Sequence, residues 1–510
     1  MKQKNSSNID FQLIFKLVAV ALTLIFQLTI LVSIILLFEK SAIVIELFSL
    51  LNIIFAAYII YKPQKTSYKL SWLFVIFALP IAGLLLFLFF SKQRFGKSLR
   101  KIIIERRTKT SELFKPYYDT VNEIEDADVR SQAYVIQTIG RYPTYKNTEV
   151  KYFPVGEKYF DALKKELKKS EKFIFLEYFI ISDGIMFNEL MEILKEKANA
   201  GVDVRFIYDA AGSAVLLPKS FKSECKNNNI KLHPFNPIHK NLYFYVSYRN
   251  HRKITVIDGN VGFTGGINIG DEYINKNDRL GHWKDMGLML KGEAVFSLTA
   301  MFLDGWKIVT GNDDEYLKYK PTIKIDAPST FVAPFDDAPL DNETPAEHNY
   351  MRMIANAKKY IYITTPYLII DSEISSLLNL AAKSGVDVRI LTPHIPDKKA
   401  VFQVTRSHYL DLIHNGVKIY EYTPGFVHGK MLITDDKVAF VGSINFDYRS
   451  LTWNYECGAW VYDKVFVKDT YDDFMNTLEA SMEITIEICE KYPLHMKLLQ
   501  SFLKIAGPLL

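Results

Sequence analysis

Two histidines carry the strongest chemical signal in this chain, because each stands in the same setting. His251, Lys253, Asp258, Gly265, Gly266 and Asn268 spell His-x-Lys-x4-Asp-x6-Gly-(Gly/Ser)-x-Asn, and His428, Lys430, Asp435, Gly442, Ser443 and Asn445 spell it again. Every matched position is displaced by 177 residues (428 − 251 = 177; 445 − 268 = 177). One copy of so short a pattern carries little weight, whereas two at a constant offset carry a great deal. Two His, two Lys and two Asn facing one another suit displacement at a phosphodiester. A neutral imidazole attacks phosphorus to give a phosphohistidine, while a protonated one donates to the departing oxygen and then deprotonates the incoming hydroxyl. The lysines and asparagines surround the non-bridging oxygens, where charge develops, with positive charge and donors. Like groups in one site must hold different protonation states, which neighbouring carboxylates and mutual repulsion arrange.

That displacement requires no metal, and the sequence gives no metal signal. Cys225, Cys457 and Cys489 stand far apart without Cys-x-x-Cys spacing, and no His-Glu-x-x-His helix occurs. The expectation is therefore no metal, no cofactor and three structural thiols. His282, His394, His408 and His414 also lie in or near the repeats and receive no role.

The reactive groups need a strand to aim them. His and Lys two apart on a strand share a face, so both can address one phosphate, and the residue between them, Arg252 or Gly429, points away and is free to differ. Asp258-Gly259-Asn260 and Asp435-Asp436-Lys437 read as hairpin turns between apolar runs. Gly201-Val-Asp-Val-Arg205 recurs letter for letter as Gly385-Val-Asp-Val-Arg389, each after a helix-like stretch and each preceded by an apolar run, 173–181 or 361–370, that reads as a buried strand. Strand, helix, strand is the order of a βαβ unit. The chain thus reads as a duplicated α/β unit, with the Pro-rich segment 311–345 as the linker.

These residues resemble the phospholipase D superfamily, whose signature is this duplicated His-Lys-Asp motif, and within it the bacterial cardiolipin synthases. The resemblance rests on residues 177–183, 208–213, 249–253, 263–273, 283–285, 363–367 and 454–456, and it runs from about Ser67 to the C-terminus. It implies two tandem phospholipase D-like domains, 111–310 and 346–495, each a mixed, largely parallel sheet flanked by helices. It implies His251 as nucleophile and His428 as general acid and base, with the reverse assignment left open by sequence. Asp285 and Glu456 match the carboxylates that orient the imidazoles. Asp258 and Asp435 match residues that anchor the motif strand, and Lys253, Lys430, Asn268 and Asn445 match those around the substrate phosphate. Gly429, Thr434 and Lys284 depart from the expected Ala, aliphatic and Arg, and none of them removes a reacting group.

Ahead of the repeats lies a different material. Residues 17–38 and 70–90 carry no charge and 41–61 carry only Glu46, so an N-terminal membrane anchor over 1–91 with three transmembrane spans is expected, two being the alternative. Lys92, Arg94, Lys97, Arg100, Lys101, Arg106, Arg107 and Lys109 then oppose a single acid, Glu105, which makes 92–110 a basic juxtamembrane linker and its side of the membrane cytoplasmic, next to anionic lipid. Residues 496–510 are basic and apolar on helical spacing, fit either to lie on a membrane or to dock on the second domain. The expected location is accordingly a multi-pass cell-membrane protein with its catalytic domains on the cytoplasmic face.

An anchored site would let a phosphatidyl-histidine meet a second lipid before water. The resemblance implies phosphatidylglycerol as substrate, one molecule transferring its phosphatidyl group to another to give cardiolipin and glycerol. A phospholipase D-type hydrolase or another transphosphatidylase would use the same two histidines. A nuclease is disfavoured, since the basic run is explained by the membrane and no nucleic-acid motif is present. A non-enzymatic scaffold binding anionic headgroups is disfavoured by the presence of every reacting group.

Overall fold

In the computed structural model, which describes residues 42–91, 97–237, 248–339 and 343–509 with Thr29 and Ser33, the apolar runs become buried central strands. Phe173–Tyr178 has all six side chains buried, and Tyr360–Thr364 all five. The first repeat supplies β1 (Thr148–Phe153), β2 (Phe173–Tyr178), β3 (Asp203–Asp209), β4 (Lys231–Phe235), β5 (Ile254–Ile257), β6 (Val261–Gly265), β7 (His282–Lys284) and β8 (Gly287–Gly292). All but β7 form a sheet in the order β1-β8-β6-β5-β2-β3-β4. The second repeat supplies β9 (Phe331–Asp337), β10 (Tyr360–Thr364), β11 (Asp387–Pro393), β12 (Lys418–Tyr422), β13 (Gly425–Val427), β14 (Met431–Thr434), β15 (Val438–Gly442), β16 (Glu456–Tyr462) and β17 (Ser481–Ile484). Without β13 these form the sheet β17-β12-β11-β10-β14-β15-β16-β9, while β13 pairs with β7. Apart from β17, the two sheets match strand for strand.

The expectation of largely parallel sheets is corrected. Within the two large sheets only β2-β3-β4 and β10-β11-β12 run parallel, and every other neighbouring pair there is antiparallel. The crossover helices join only the parallel trios. The pairs β5-β6 and β14-β15 are tight hairpins, whose geometry dictates antiparallel pairing. Segment 311–345, expected to be a linker, holds β9, whose seven residues are all buried and which pairs with β16 as β1 pairs with β8. Its Pro and Asp content misleads because Pro334, Asp336 and Asp337 lie on an edge strand, where one side of the backbone needs no ladder partner. Segment 92–110, also expected to be a linker, is helical over Lys97–Phe114 in its described part.

The repeat extends to side chains. Gly201 (φ 93°) and Gly385 (φ 91°) end the crossover helices in left-handed geometry that favours glycine. Arg205 and Arg389 then bond Asp203 and Asp387 at 2.9 and 2.8 Å. Arg205 lies over Phe175, which stacks on Phe302 of the helix Val295–Thr310, and Arg389 lies over Tyr362, which stacks on Phe474 of the helix Lys464–Glu479. Helices Gly156–Leu167 and Ile185–Asn199 bury their apolar faces against the other face of the first sheet.

The described residues divide into two compact units, Met1–Arg94 with Ile505–Leu510, and Phe95–Lys504. In the first unit the expected span 70–90 is not one helix. Thr66–Ala78 and Pro80–Phe90 fold back on each other at Leu79, and the rings of Trp72 and Phe87 meet at 5.4 Å. In a straight helix residues fifteen apart (87 − 72 = 15) would lie about 22 Å apart. Pro80, with no amide hydrogen to donate, opens the second helix. Gly83 permits the close approach, since a Cβ there would stand 2.2 Å from the Val75 carbonyl oxygen. The helix Ala42–Tyr61 covers the second expected span, and the first, 17–38, lies outside the described residues apart from Thr29 and Ser33. Among the described residues no helix is long and apolar enough to cross a membrane.

Both hairpin turns are held by the motif aspartate. Asp258 (φ 53°) accepts the backbone N–H groups of Glu171, Lys172 and Phe173, and Asp435 (φ 57°) those of Lys358, Lys359 and Tyr360. Each carboxylate thereby ties its motif hairpin to the start of the central strand, at the end of β5 or β14 away from the histidine. Replacing Asp435 with alanine orphans three N–H donors, a loss of about 2–4 kcal/mol on the scale of charge-assisted bonds. The expected outcome is a thermal midpoint several degrees below wild type in a melting experiment, with Asp435→Asn intermediate.

Candidate active site

His251 and His428 come off the segments just before β5 and β14, and neither is oriented by its own repeat. The Nδ1 of His251 lies 2.9 Å from both carboxylate oxygens of Glu456, at the start of β16 in the second repeat. The Nδ1 of His428 lies 2.6 Å from Asp285, between β7 and β8 of the first. The backbone crosses in the same way. His251 N–H donates to the Tyr455 carbonyl at 2.8 Å and His428 N–H to the Lys284 carbonyl at 2.7 Å, while β13 runs parallel to β7. Parallel pairing between repeats thus brings both imidazoles into one site. With Nδ1 occupied by a carboxylate, the opposite ring nitrogen, Nε2, is left for chemistry.

The lysines fill the space behind. Lys253 donates to the His251 carbonyl at 2.5 Å and Lys430 to the His428 carbonyl, and both side chains are buried. Burial pushes Lys253 down to about 7, with the Lys430 charge adding to the effect, and Lys430 down to about 8 against the pull of Asp285 and Glu456. Burial likewise pushes His251 down to about 4 and His428 to about 3, helped by the nearby ammonium groups. Burial thus favours the neutral forms of all four groups. Aromatic rings wall the site: Phe179 meets His251 edge-on at 5.0 Å, and Trp283 and Tyr273 flank His428 at 5.3 and 5.7 Å.

The asparagines are less free than expected. Asn268 accepts Ile180 N–H at 3.0 Å and donates to Tyr273 OH at 2.8 Å, and Asn445 donates to Asp447 at 3.0 Å. The buried Oδ1 of Asn445 has no partner. Asp258 and Asp435 stand away from the histidines, in the anchoring place described above. Among the described residues no group of three or more His, Cys, Asp or Glu side chains is arranged to hold a metal ion. All three cysteines are buried and free.

Two positions expected to be free to vary are not. Arg252 does point away from the phosphate side, but it is buried, bonded to Asp336 on β9 and within 3.9 Å of Glu177 on β2. Gly429, its counterpart, faces Met286, whose Cε would stand 2.2 Å from a Cβ at that position. The sequence also gave no sign that Ser450 and Asn454 bond Glu456, at 2.8 and 3.2 Å, alongside Ser443. Nor did it show that Lys284 pairs with Asp473, 189 residues on, at 2.6 Å. Ser443 alone had a signal, as the varying position of the repeated motif.

Comparison with known proteins agrees with this geometry. A family profile described as "Cardiolipin synthase, PLD-like domain" matches twice, over residues 163–295 and 350–478, and one described as "Phospholipase_D-nuclease N-terminal" matches 50–92. Cardiolipin synthase 2 of Bacillus anthracis is 37% identical over 88% of this chain and 87% of its own. The chain belongs to the cardiolipin synthase family of phospholipase D-like enzymes. An uncharacterized protein of Streptococcus mutans is 41% identical over 89% of this chain and 99% of its own. The fold also resembles the crystal structure of a phosphatidylserine synthase from Haemophilus influenzae, with a TM-score of 0.59 at 14% identity, over 74% of this chain and 99% of that one. The profile stops short of β9 on one side and starts after it on the other.

The lowered lysines set a sign. A bound phosphodiester anion stabilises their ammonium forms and raises both values, so protons enter the site with the ligand. Isothermal titration of glycerophosphoglycerol at pH 8 in buffers of different ionisation enthalpy is expected to show net proton uptake. Proton release, or none, would contradict the account of Lys253 and Lys430.

Proposed function

We propose that this enzyme is a cardiolipin synthase that acts at a lipid surface on phosphatidylglycerol. The observation carrying the proposal is the crossed pair of imidazole–carboxylate contacts, which leaves two Nε2 atoms available in one site over two buried lysines. His251, neutral and with its Nδ1 proton on Glu456, attacks the phosphorus of one phosphatidylglycerol. The P–O bond to the headgroup glycerol breaks, and His428, protonated once the anion is bound, donates to the departing oxygen. A phosphatidyl group then stands on His251 Nε2. His428, now neutral, takes the proton from a terminal hydroxyl of a second phosphatidylglycerol, whose oxygen attacks phosphorus and breaks the P–N bond. Cardiolipin and glycerol leave, and both histidines return to their starting states.

Lys253 and Lys430 offset the charge on the non-bridging oxygens as it grows, in a setting where burial strengthens the interaction. Glu456 and Asp285 hold the tautomer that presents Nε2, as orienting carboxylates do elsewhere. Support for a lipid substrate comes from family membership and from the first unit, where Leu47, Leu50, Ile53, Ile54, Leu70 and Phe77 are exposed apolar side chains.

With purified protein in phosphatidylglycerol vesicles, mass spectrometry should detect cardiolipin and an equal amount of glycerol. His251→Ala is expected to lower the rate by at least about 10³-fold with no loss of fold, a loss typical of removing a nucleophile or its proton partner. His428→Asn should accumulate the adduct on His251. Phosphatidic acid in place of cardiolipin would move the enzyme to hydrolysis, and an adduct on His428 in the His251 variant would exchange the two roles.

A further inference from the structure

The loop that follows β3 presents an apolar tip beside the site that the mechanism does not use. Val215 is 68% exposed and Leu216 43%, and the Leu216 carbonyl accepts Asp183 N–H at 3.3 Å, which brings the tip alongside Ile185, itself 48% exposed at the start of its helix. Large apolar side chains left together in water mark a surface with a partner. Lys219 and Lys222, exposed just beyond the tip, make no ion pair among the described residues, while the nearby acids Asp271 and Glu224 are engaged by the Ile185 N–H and by Lys195.

The base of the same loop is fixed to the catalytic centre. Asp209, its last strand residue, bonds Arg249 and the backbone N–H of Asn250, the residue before His251. Ser213 donates to the Phe179 carbonyl at 3.0 Å and accepts Ile181 N–H at 3.1 Å. Gly212 lets the backbones touch, since a Cβ there would stand 2.5 Å from the Phe179 oxygen. Phe179 is the ring against His251. The base of the loop therefore packs on the residue whose ring meets the proposed nucleophile.

We infer that Val215, Leu216 and Ile185, with Lys219 and Lys222, form a bilayer contact that seats the rim of the site in the interface of an anionic membrane. The inference rests on the lipid-transfer reading above. A diacyl substrate has to bring its phosphate to His251 while its acyl chains stay out of water, and an apolar rim next to that histidine spares them the crossing. The lysines complement anionic headgroups, the charge pattern expected of an interfacial segment.

Two measurements on the full chain test it. Val215→Ser with Leu216→Ser is expected to lower turnover on phosphatidylglycerol vesicles by about tenfold or more, the order expected for two apolar side chains withdrawn from an interface. Turnover of monomeric dihexanoyl phosphatidylglycerol should be unchanged. Equal loss on both substrates would make the loop part of the site itself, and no loss on either would remove the contact. Separately, an NBD fluorophore on Leu216→Cys should shift to the blue and become shielded from aqueous iodide when phosphatidylglycerol vesicles are added, whereas one on Leu380→Cys, on the helix Ser372–Lys383, should not. This reading needs no catalysis, so it decides the contact even if no cardiolipin forms. A label at position 216 that stays quenched like that at 380, or that is shielded by protein without vesicles, overturns the proposal.

Discussion

Each imidazole is held by a carboxylate from the other half of the chain, and both carboxylates are buried. An ionised acid taken out of water has to be met by partners, or its burial costs several kcal/mol. Glu456 is met by His251, Ser443, Ser450 and Asn454, and Asp285 by His428 and its neighbour's backbone N–H. The docking of β13 on β7 and of Tyr455 on Arg249 exists on this account: it brings the donors to the acids. Much else in the fold serves to keep those segments in register, including the motif aspartates that pin the far ends of β5 and β14.

Duplication has not produced equivalence. A Cβ at Gly266 would stand 2.1 Å from Asp285, so the first repeat keeps glycine where the second has Ser443, whose hydroxyl bonds Glu456. Arg252 is matched by Gly429 because one position opens on a buried acid and the other on Met286. Tyr273, Trp283 and Phe426 line the His428 side, while among the described residues Phe179 is the ring that meets His251. Two imidazoles with the same role in sequence thus sit in different surroundings, which is what a pair that must differ in protonation requires.

The duplicated motif, the buried central strands, the hairpin turns and the matching Gly-Val-Asp-Val-Arg segments were legible in sequence because each is a local pattern with a fixed period or offset. Glu456 and Asp285 came only from the resemblance, and their exchange between repeats was invisible, since nothing local records which half a carboxylate faces. Composition misled at 311–345, where Pro and Asp belong to an edge strand, and at 70–90, where uniform apolarity hid a reversal that Pro80 begins. Arg252 was misjudged because alternation tells which way a side chain points but not what waits there.

A strand made late completes the first histidine. During synthesis His251 leaves the ribosome long before Glu456, which follows 205 residues later, and His428 finds Asp285 already present. A chain interrupted anywhere before β16 therefore carries His251 without the carboxylate that its Nδ1 meets. The two imidazole–carboxylate contacts are therefore both in place only when nearly the whole polypeptide is there to enclose them.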